Sequence, residues 1–333
     1  MAALARSLCR WAERCVVSRG VPLESVRSIH VESAGSDRAA LRAPPDKFQR
    51  KVDRVFQTSA QGIGQRRFWE TCRLLRLADE ASPGKYAVAL DGHWLVTPAG
   101  RRLLLPGLPL ALGVGLEWEA QRERIQPFMM PLTRLAVVAT DLDGEAREVF
   151  TRELLEFLHT DTVCFGSTEP ESLRVHQDRL WRPLLQHMHA RYGMHLQQTR
   201  GQVTGGGQSE LVLQRMREWL DSTDHWTLTG LHSAACAAKS LVIALALRDG
   251  VLDSSGALAA ARCDEDWQCE RYGFVEGDHD VDRALLGVTF GAASVLFRAL
   301  EGVPEATRKT LAERAHRGEA SSRRRAAPTC VRV

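Results

Sequence analysis

Apolar and polar residues first alternate, then recur at helical spacing, and the change falls near Pro109. From Phe68 to about Pro109 the period is two. Tyr86, Val88 and Leu90 alternate, Asp91-Gly92 supplies a tight hairpin turn, and Trp94 and Val96 continue on the return strand. Thr97-Pro98 ends that strand, because proline removes a ladder donor. Upstream, Arg67-Phe68-Trp69 and Cys72-Arg73-Leu74 predict a further strand. Beyond Pro109, Leu112, Leu116 and Glu119 share one side of a helix that Pro127 closes. Glu145 to His159 forms the next, with Val149, Phe150, Leu154, Phe157 and Leu158 as its buried stripe. Leu173, Leu180, Leu184, Met188 and Tyr192 mark a third, which Pro183 should kink. Ser209–Leu220, Trp226–Arg248, Ser255–Arg271 and Asp280–Leu300 supply four more. The pattern predicts an α+β protein, with a small β-rich domain over residues 61–135 and an all-α domain over 136–302.

The run from Trp226 to Leu247 is the one segment that tests for a membrane span. Lys239 interrupts it, His232, Ser233 and Ser240 add polar groups, and its alanines suit close helix packing, so it reads as a buried core helix. A chain that does not span the membrane follows. Gly201–Gly207 lacks the Gly-Lys-Ser/Thr ending of a phosphate loop and reads as a flexible break.

Charge is unevenly spread. Of 44 Lys/Arg and 41 Asp/Glu, residues 1–60 hold 11 and 6 and residues 303–333 hold 8 and 3, leaving 25 basic and 32 acidic residues for 61–302. The folded middle is therefore acidic, which argues against a nucleic-acid partner. In the first thirty residues Leu4, Leu8, Trp11 and Cys15 share one helical face and Arg6, Arg10 and Arg14 another, with only Glu13 and Glu24 as acids. That composition fits a mitochondrial transit peptide leading into a basic segment that ends near residue 60. The stretch 303–333, with Arg323, Arg324 and Arg325, reads as a solvated basic tail.

Reactive residues are present but scattered. None of the eight cysteines forms a Cys-x-x-Cys pair, and His187 and His189 point to different sides of a helix. No cofactor or metal is expected. Glu117 and Glu119 flank Trp118, and Asp141 and Asp143 stand two apart, but adjacent acids on helices are usually a solvated face. In Thr160-Asp161-Thr162 the side chains suit local hydrogen bonds to the backbone at a helix end. His159 and Cys164 lie five apart across a turn without an oxyanion partner, which is no nucleophile pair.

Contact chemistry is better represented than bond-making chemistry. Trp118 is either a packing anchor of its helix against the β domain, the favoured reading, or a hot spot for a partner. Pro127 to Leu132 reads as an extended strap offering Met129 and Met130 to adaptable apolar contacts. From Asp264 to Asp282 eight acids stand against Arg271 alone, interleaved with Trp267, Tyr272 and Phe274. Asp264, Glu265 and Asp266, with Trp267 and Tyr272, are the candidate partner-binding residues there, because an acidic face with aromatic anchors steers a basic partner.

Glu117-Trp118-Glu119-Ala120-Gln121, Pro127-Phe128-Met129-Met130-Pro131-Leu132-Thr133 and Leu158 to Phe165, with Gln268, Tyr272 and Gly273 after the acids, carry a resemblance. Over about Arg66 to Leu300 the chain resembles the mitochondrial ATP synthase complex assembly factor 2 family, chaperones of the free ATP synthase α subunit. Only Leu75–Ser82 is longer than the family pattern. The resemblance implies an orthogonal arrangement of the helical domain and a matrix chaperone that is not an enzyme. It also implies a monomer that binds the α subunit and leaves when the α/β hexamer forms. The rival expectation is a matrix small-molecule enzyme with a site in an interdomain cleft.

Overall fold

A computed structural model describes residues 31–34, 43–57, 65–77, 85–201, 207–304 and 307–308. The expected transit peptide and nearly all of the basic tail lie outside these residues. The described residues up to Asp143 and from Ala299 onward form one compact unit, and Gly144–Arg298 forms another.

The first unit is built on a five-stranded sheet. β1 (Val31–Ala34) runs parallel to β2 (Cys72–Leu77), and β2 pairs antiparallel with β3 (Lys85–Leu90) in a register that sets Leu74 opposite Val88. β3 then pairs antiparallel with both β4 (His93–Trp94) and β5 (Leu104–Pro106). The hairpin falls where Asp91-Gly92 places it. Both residues have positive φ, 50° and 78°, as a tight two-residue turn requires. The Asp91 carboxylate accepts the Glu70 and Thr71 N–H groups, which holds the turn against the start of β2. The upstream strand covers only Cys72–Leu77, since Arg67–Trp69 is needed elsewhere.

This unit includes the helices α1 (Asp46–Gln57) and α2 (Leu108–Glu119), and α2 packs on β2, β3 and β5. A side chain on Gly115 would come within 3.0 Å of Leu74, so α2 approaches the sheet closely only because that position is glycine. Trp118 is fully buried and meets Trp69 edge-on at 5.1 Å. Arg67 lies over Trp69, donates to the Gln121 carbonyl at 2.6 Å and pairs with Glu119. The strap expected after α2 is instead one 3-10 turn, Pro127–Met129, followed by α3 (Pro131–Asp141). Pro131 opens α3 without losing a needed donor, and the Glu117 carboxylate accepts the N–H groups of Leu132 and Thr133, both at 2.7 Å. Glu117 is thus a buried cap rather than a solvated acid, and burial pushes its carboxyl up to about 7 against those donors.

The second unit is helical: α4 (Gly144–His159), α5 (Glu171–Tyr192), α6 (Glu210–Ser222), α7 (His225–Ala238), α8 (Leu241–Arg248), α9 (Ser254–Ala261), α10 (Cys263–Tyr272) and most of α11 (His279–Leu300). A two-residue parallel pair, β6 (Phe165–Gly166) and β7 (Thr199–Arg200), joins them. α7 and α8 form the centre, and every residue from Leu241 to Leu247 is buried. Two helices expected to be continuous are broken. Trp226–Arg248 divides at Lys239, which adopts the left-handed conformation at φ 52°, and Ser255–Arg271 divides at the buried Arg262.

Asp161 explains the first break. Its carboxylate, fully buried, accepts from Ser240 Oγ at 2.6 Å, from the Val242 N–H at 3.1 Å and from the Val163 N–H at 3.1 Å. Ser240 Oγ in turn accepts the Ile243 N–H, and Thr162 donates through both N–H and Oγ1 to the Lys239 carbonyl. The Thr160-Asp161-Thr162 corner therefore caps a helix 79 residues further on, in addition to its own turn. α11 is long and apolar enough to cross a membrane by length and composition, yet Phe290, Ala293, Leu296 and Phe297 of its second half are buried in the protein.

Asp161→Ala leaves three buried donors without their acceptor, and a loss of about 3 kcal/mol in urea unfolding is expected. A change below about 0.5 kcal/mol would remove the corner from the core of the argument. The carboxyls of Asp161 and Glu117 are raised from 3.8 to about 6 and from 4.5 to about 7, in each case first by burial. The folded state therefore holds more protons, and stability from each group is full below its unfolded value and lost as pH rises through the folded one. Urea midpoints across that range should decline for the native chain and decline less for Glu117→Gln.

Candidate functional site

The acidic start of α10 has a structural cause before any functional one: Asp264, Glu265 and Asp266 occupy the first turn, where the helix dipole favours negative charge. Two of the three are also engaged. Asp264 accepts from Gln177 Nε2 at 2.8 Å. Asp266 takes Arg283 at 2.8 Å and Arg262 at 3.3 Å, and Arg262 also pairs with Asp282. The guanidinium of Arg262 is almost entirely buried, so it needs both carboxylates. The sequence window set eight acids against Arg271 alone; the fold brings in Arg262 and Arg283 from just outside it. Glu265 is exposed on the rim of a cleft of about 190 Å³ that Lys239, Asp282 and Leu286 also line.

The aromatic residues divide. Trp267 is buried, with the Arg271 guanidinium 4.3 Å from its ring centre, and Arg271 donates to Ser172 Oγ. Tyr272 is 82% exposed. Gly273, at φ 99°, turns the chain into a loop that carries Phe274 and Val275 outward. That loop is pinned at both ends: His279 Nδ1 accepts the Val275 N–H at 3.0 Å, and Asp280 accepts the Gly277 N–H at 2.8 Å. Val281 and Leu285, one turn apart on α11, are exposed as well. Among the described residues, half of the ten large apolar side chains that stand well exposed lie between Tyr272 and Leu285. Sequence reasoning reached Tyr272 and Phe274 by their aromaticity. Val275, Val281 and Leu285 gave no signal, because an apolar residue at helical spacing looks the same whether its face is covered or bare.

The remaining candidates lie in the first unit. Trp118 and Met130 are fully buried, so the packing reading holds for Trp118 and neither side chain is presented to a partner in this conformation. Met129 is half-buried, and its neighbour Phe128 is the exposed residue of that turn.

Among the described residues, groups with reactive potential do not assemble into a relay. His232 Nε2 lies 2.7 Å from Glu153, and Cys236 Sγ lies nearer that same nitrogen, at 3.7 Å, than Nδ1, at 4.0 Å, so the acid and the thiol compete for one nitrogen. Burial, then Glu153, pushes the Cys236 thiol up, away from the nucleophilic form. A cleft of about 430 Å³ beside α5 is lined by Gln177, Asp178, His189, His195 and Arg200, but Arg200 holds Asp178 below the usual carboxylate range, as a bound counter-ion rather than a base. Among the described residues, no three His, Cys, Asp or Glu side chains are grouped to hold a metal ion.

Most of the chain is similar to known proteins. Residues 66–189 match the ATP12 chaperone protein family. The mitochondrial protein atp12 of Schizosaccharomyces pombe is 27% identical over 247 residues, covering 71% of this chain and 83% of that protein. The mitochondrial ATP12 protein of Saccharomyces cerevisiae is 25% identical, covering 81% and 92%. The crystal structure of Atp12 from Paracoccus denitrificans superimposes with a TM-score of 0.63 at 31% identity, covering 70% of this chain and 97% of that one. The chain belongs to the ATP12 chaperone family.

Asp266→Ala and Asp282→Ala together should cost about 3 kcal/mol, because the buried Arg262 guanidinium loses both carboxylates. Glu265→Lys should change stability by less than about 0.5 kcal/mol, as an exposed position does. Urea unfolding of the two variants checks the division between structural and available acids.

Proposed function

We propose that this member of the ATP12 chaperone family holds the unassembled α subunit of ATP synthase in the mitochondrial matrix until the α/β hexamer forms. The observation that carries the reading is the bare apolar side chains inside an acidic segment, from Tyr272 to Leu285. A monomeric soluble protein rarely leaves such a group uncovered unless it meets a partner. The subunit's side of the argument is equally physical: a chain destined for an obligate interface exposes apolar surface that aggregates until covered.

Release needs no energy source under this reading. The β subunit covers the same surface of α more favourably and displaces the chaperone, which works as a monomer and without a cofactor. Location in the matrix rests on the arginine-rich, acid-poor first thirty residues and on the mitochondrial names of the two fungal relatives.

Purified α subunit diluted from denaturant should scatter light alone and stay clear with an equimolar amount of this chain; added β subunit should then release the chain. Unchanged scattering would end the reading, and a stable complex of chaperone, α and β would end the displacement step. Glu265→Lys, Glu270→Lys and Glu276→Lys together should slow association about tenfold at low salt and alter dissociation little, as lost steering does.

A further inference from the structure

We infer that the adhesive part of this chaperone is the apolar strip formed by Tyr272, Phe274, Val275, Val281 and Leu285, and that its occupant is an amphipathic segment of the client with basic flanks. The inference rests on the client reading above and deepens it by assigning the surface and the chemistry of what fills it.

Three observations converge. First, the strip is constructed. His279 Nδ1 and Asp280 pin the loop that carries Phe274 and Val275, and Gly273 and Gly277 take positive φ values of 99° and 84° to make its bends. An apolar loop held open in this way exposes its side chains by geometry rather than by slackness. Second, α11 is uneven. Its second half is buried, whereas Val281 and Leu285 in its first half share one face, four residues apart, that nothing in the described residues covers.

Third, the charges sort themselves by availability. The acids nearest the start of α10 are committed: Asp264 to Gln177, Asp266 and Asp282 to Arg262 and Arg283. Glu265, Glu270, Glu276 and Asp278 stand exposed around the strip. Beside Tyr272 an open groove of about 720 Å³ adds Glu169, together with Glu171, which Arg174 pairs at 3.1 Å. An apolar centre within an acidic rim selects a segment whose apolar face ends in lysine or arginine. A neutral or acidic amphipathic segment would leave the rim carboxylates facing nothing of opposite sign. The committed acids shape the platform, the exposed ones steer, and the strip holds.

The test compares the full chain with two variants. One joins Tyr272→Ser, Phe274→Ser, Val281→Ser and Leu285→Ser; the other joins Val175→Ser, Leu211→Ser and Val251→Ser, equally exposed apolar positions elsewhere in the same unit. Two probes are titrated against each: unassembled α subunit, and a synthetic helical peptide with leucine on one face and lysine on the other. Urea midpoints confirm that both variants fold. The strip variant should bind each probe at least about tenfold more weakly, as lost central contacts do, and the control variant should match the native chain.

If α binds the native chain and both variants alike, the inference is overturned while the client reading stands. If α does not bind the native chain but the peptide binds through the strip, the surface stands and the client reading falls. Equal peptide and α binding by all three proteins removes the strip altogether. A native chain that dimerises, with the strip variant monomeric, assigns the face to a second copy and overturns the client as occupant. As a check that needs no loss of binding, benzoylphenylalanine at position 272 should crosslink to α subunit, and the same group at position 211 should not.

Discussion

A buried carboxylate with three inward-facing donors is the constraint on which the helical unit depends. Asp161 sits where its chain has just left α4, and it satisfies at once its own turn, the Ser240 hydroxyl and the first free N–H of α8. The start of a helix carries N–H groups that its own backbone cannot accept, and α8 is buried from Leu241 to Leu247, so water cannot serve them either. Side chains do so instead: Ser240 for Ile243, and Asp161, brought from outside, for Val242. The centre of the unit is in this sense held by hydrogen-bond satisfaction first and by apolar packing around it second. Glu117 performs the same service for α3 in the other unit, and in both cases desolvation raises the carboxyl while the donors oppose that rise.

What the sequence revealed, and what it hid, follows from the range of the interactions involved. The Asp91-Gly92 hairpin, the proline at the mouth of α3 and the stripe of α4 are local, and local chemistry can be read along a chain. The break at Lys239 could not be read, because the group that makes it profitable is Asp161 in another element. The turn at Arg262 was hidden for the same reason: its counter-ions are Asp266 and, at the far end of the window of acids, Asp282 on α11. Glu117 reads as a surface acid in the sequence, because helical position alone does not say which face is covered. The acidic segment was visible as a composition, but its division into committed and exposed carboxylates required the fold.

That division bears on how a holding protein can be specific. The ATP12 family is one of chaperones, and a holding protein must grip apolar surface without becoming prone to aggregation itself. Among the described residues, half of the well-exposed large apolar side chains lie between Tyr272 and Leu285, where exposed acids outnumber Arg271 and Arg283. Two copies meeting strip to strip would bring two acidic rims together. Mutual repulsion then protects the gripping face from its own kind while leaving it open to a partner of the opposite sign.

The distance along the chain between Asp161 and Ser240 also fixes when the centre of the helical unit acquires its shape. Residues 225–248 have the composition of a single rod, and nothing within them forces a bend at Lys239. Excised as a free peptide in a helix-promoting solvent, the stretch would run straight through that position. The kink is a property of the assembled whole, absent from its parts.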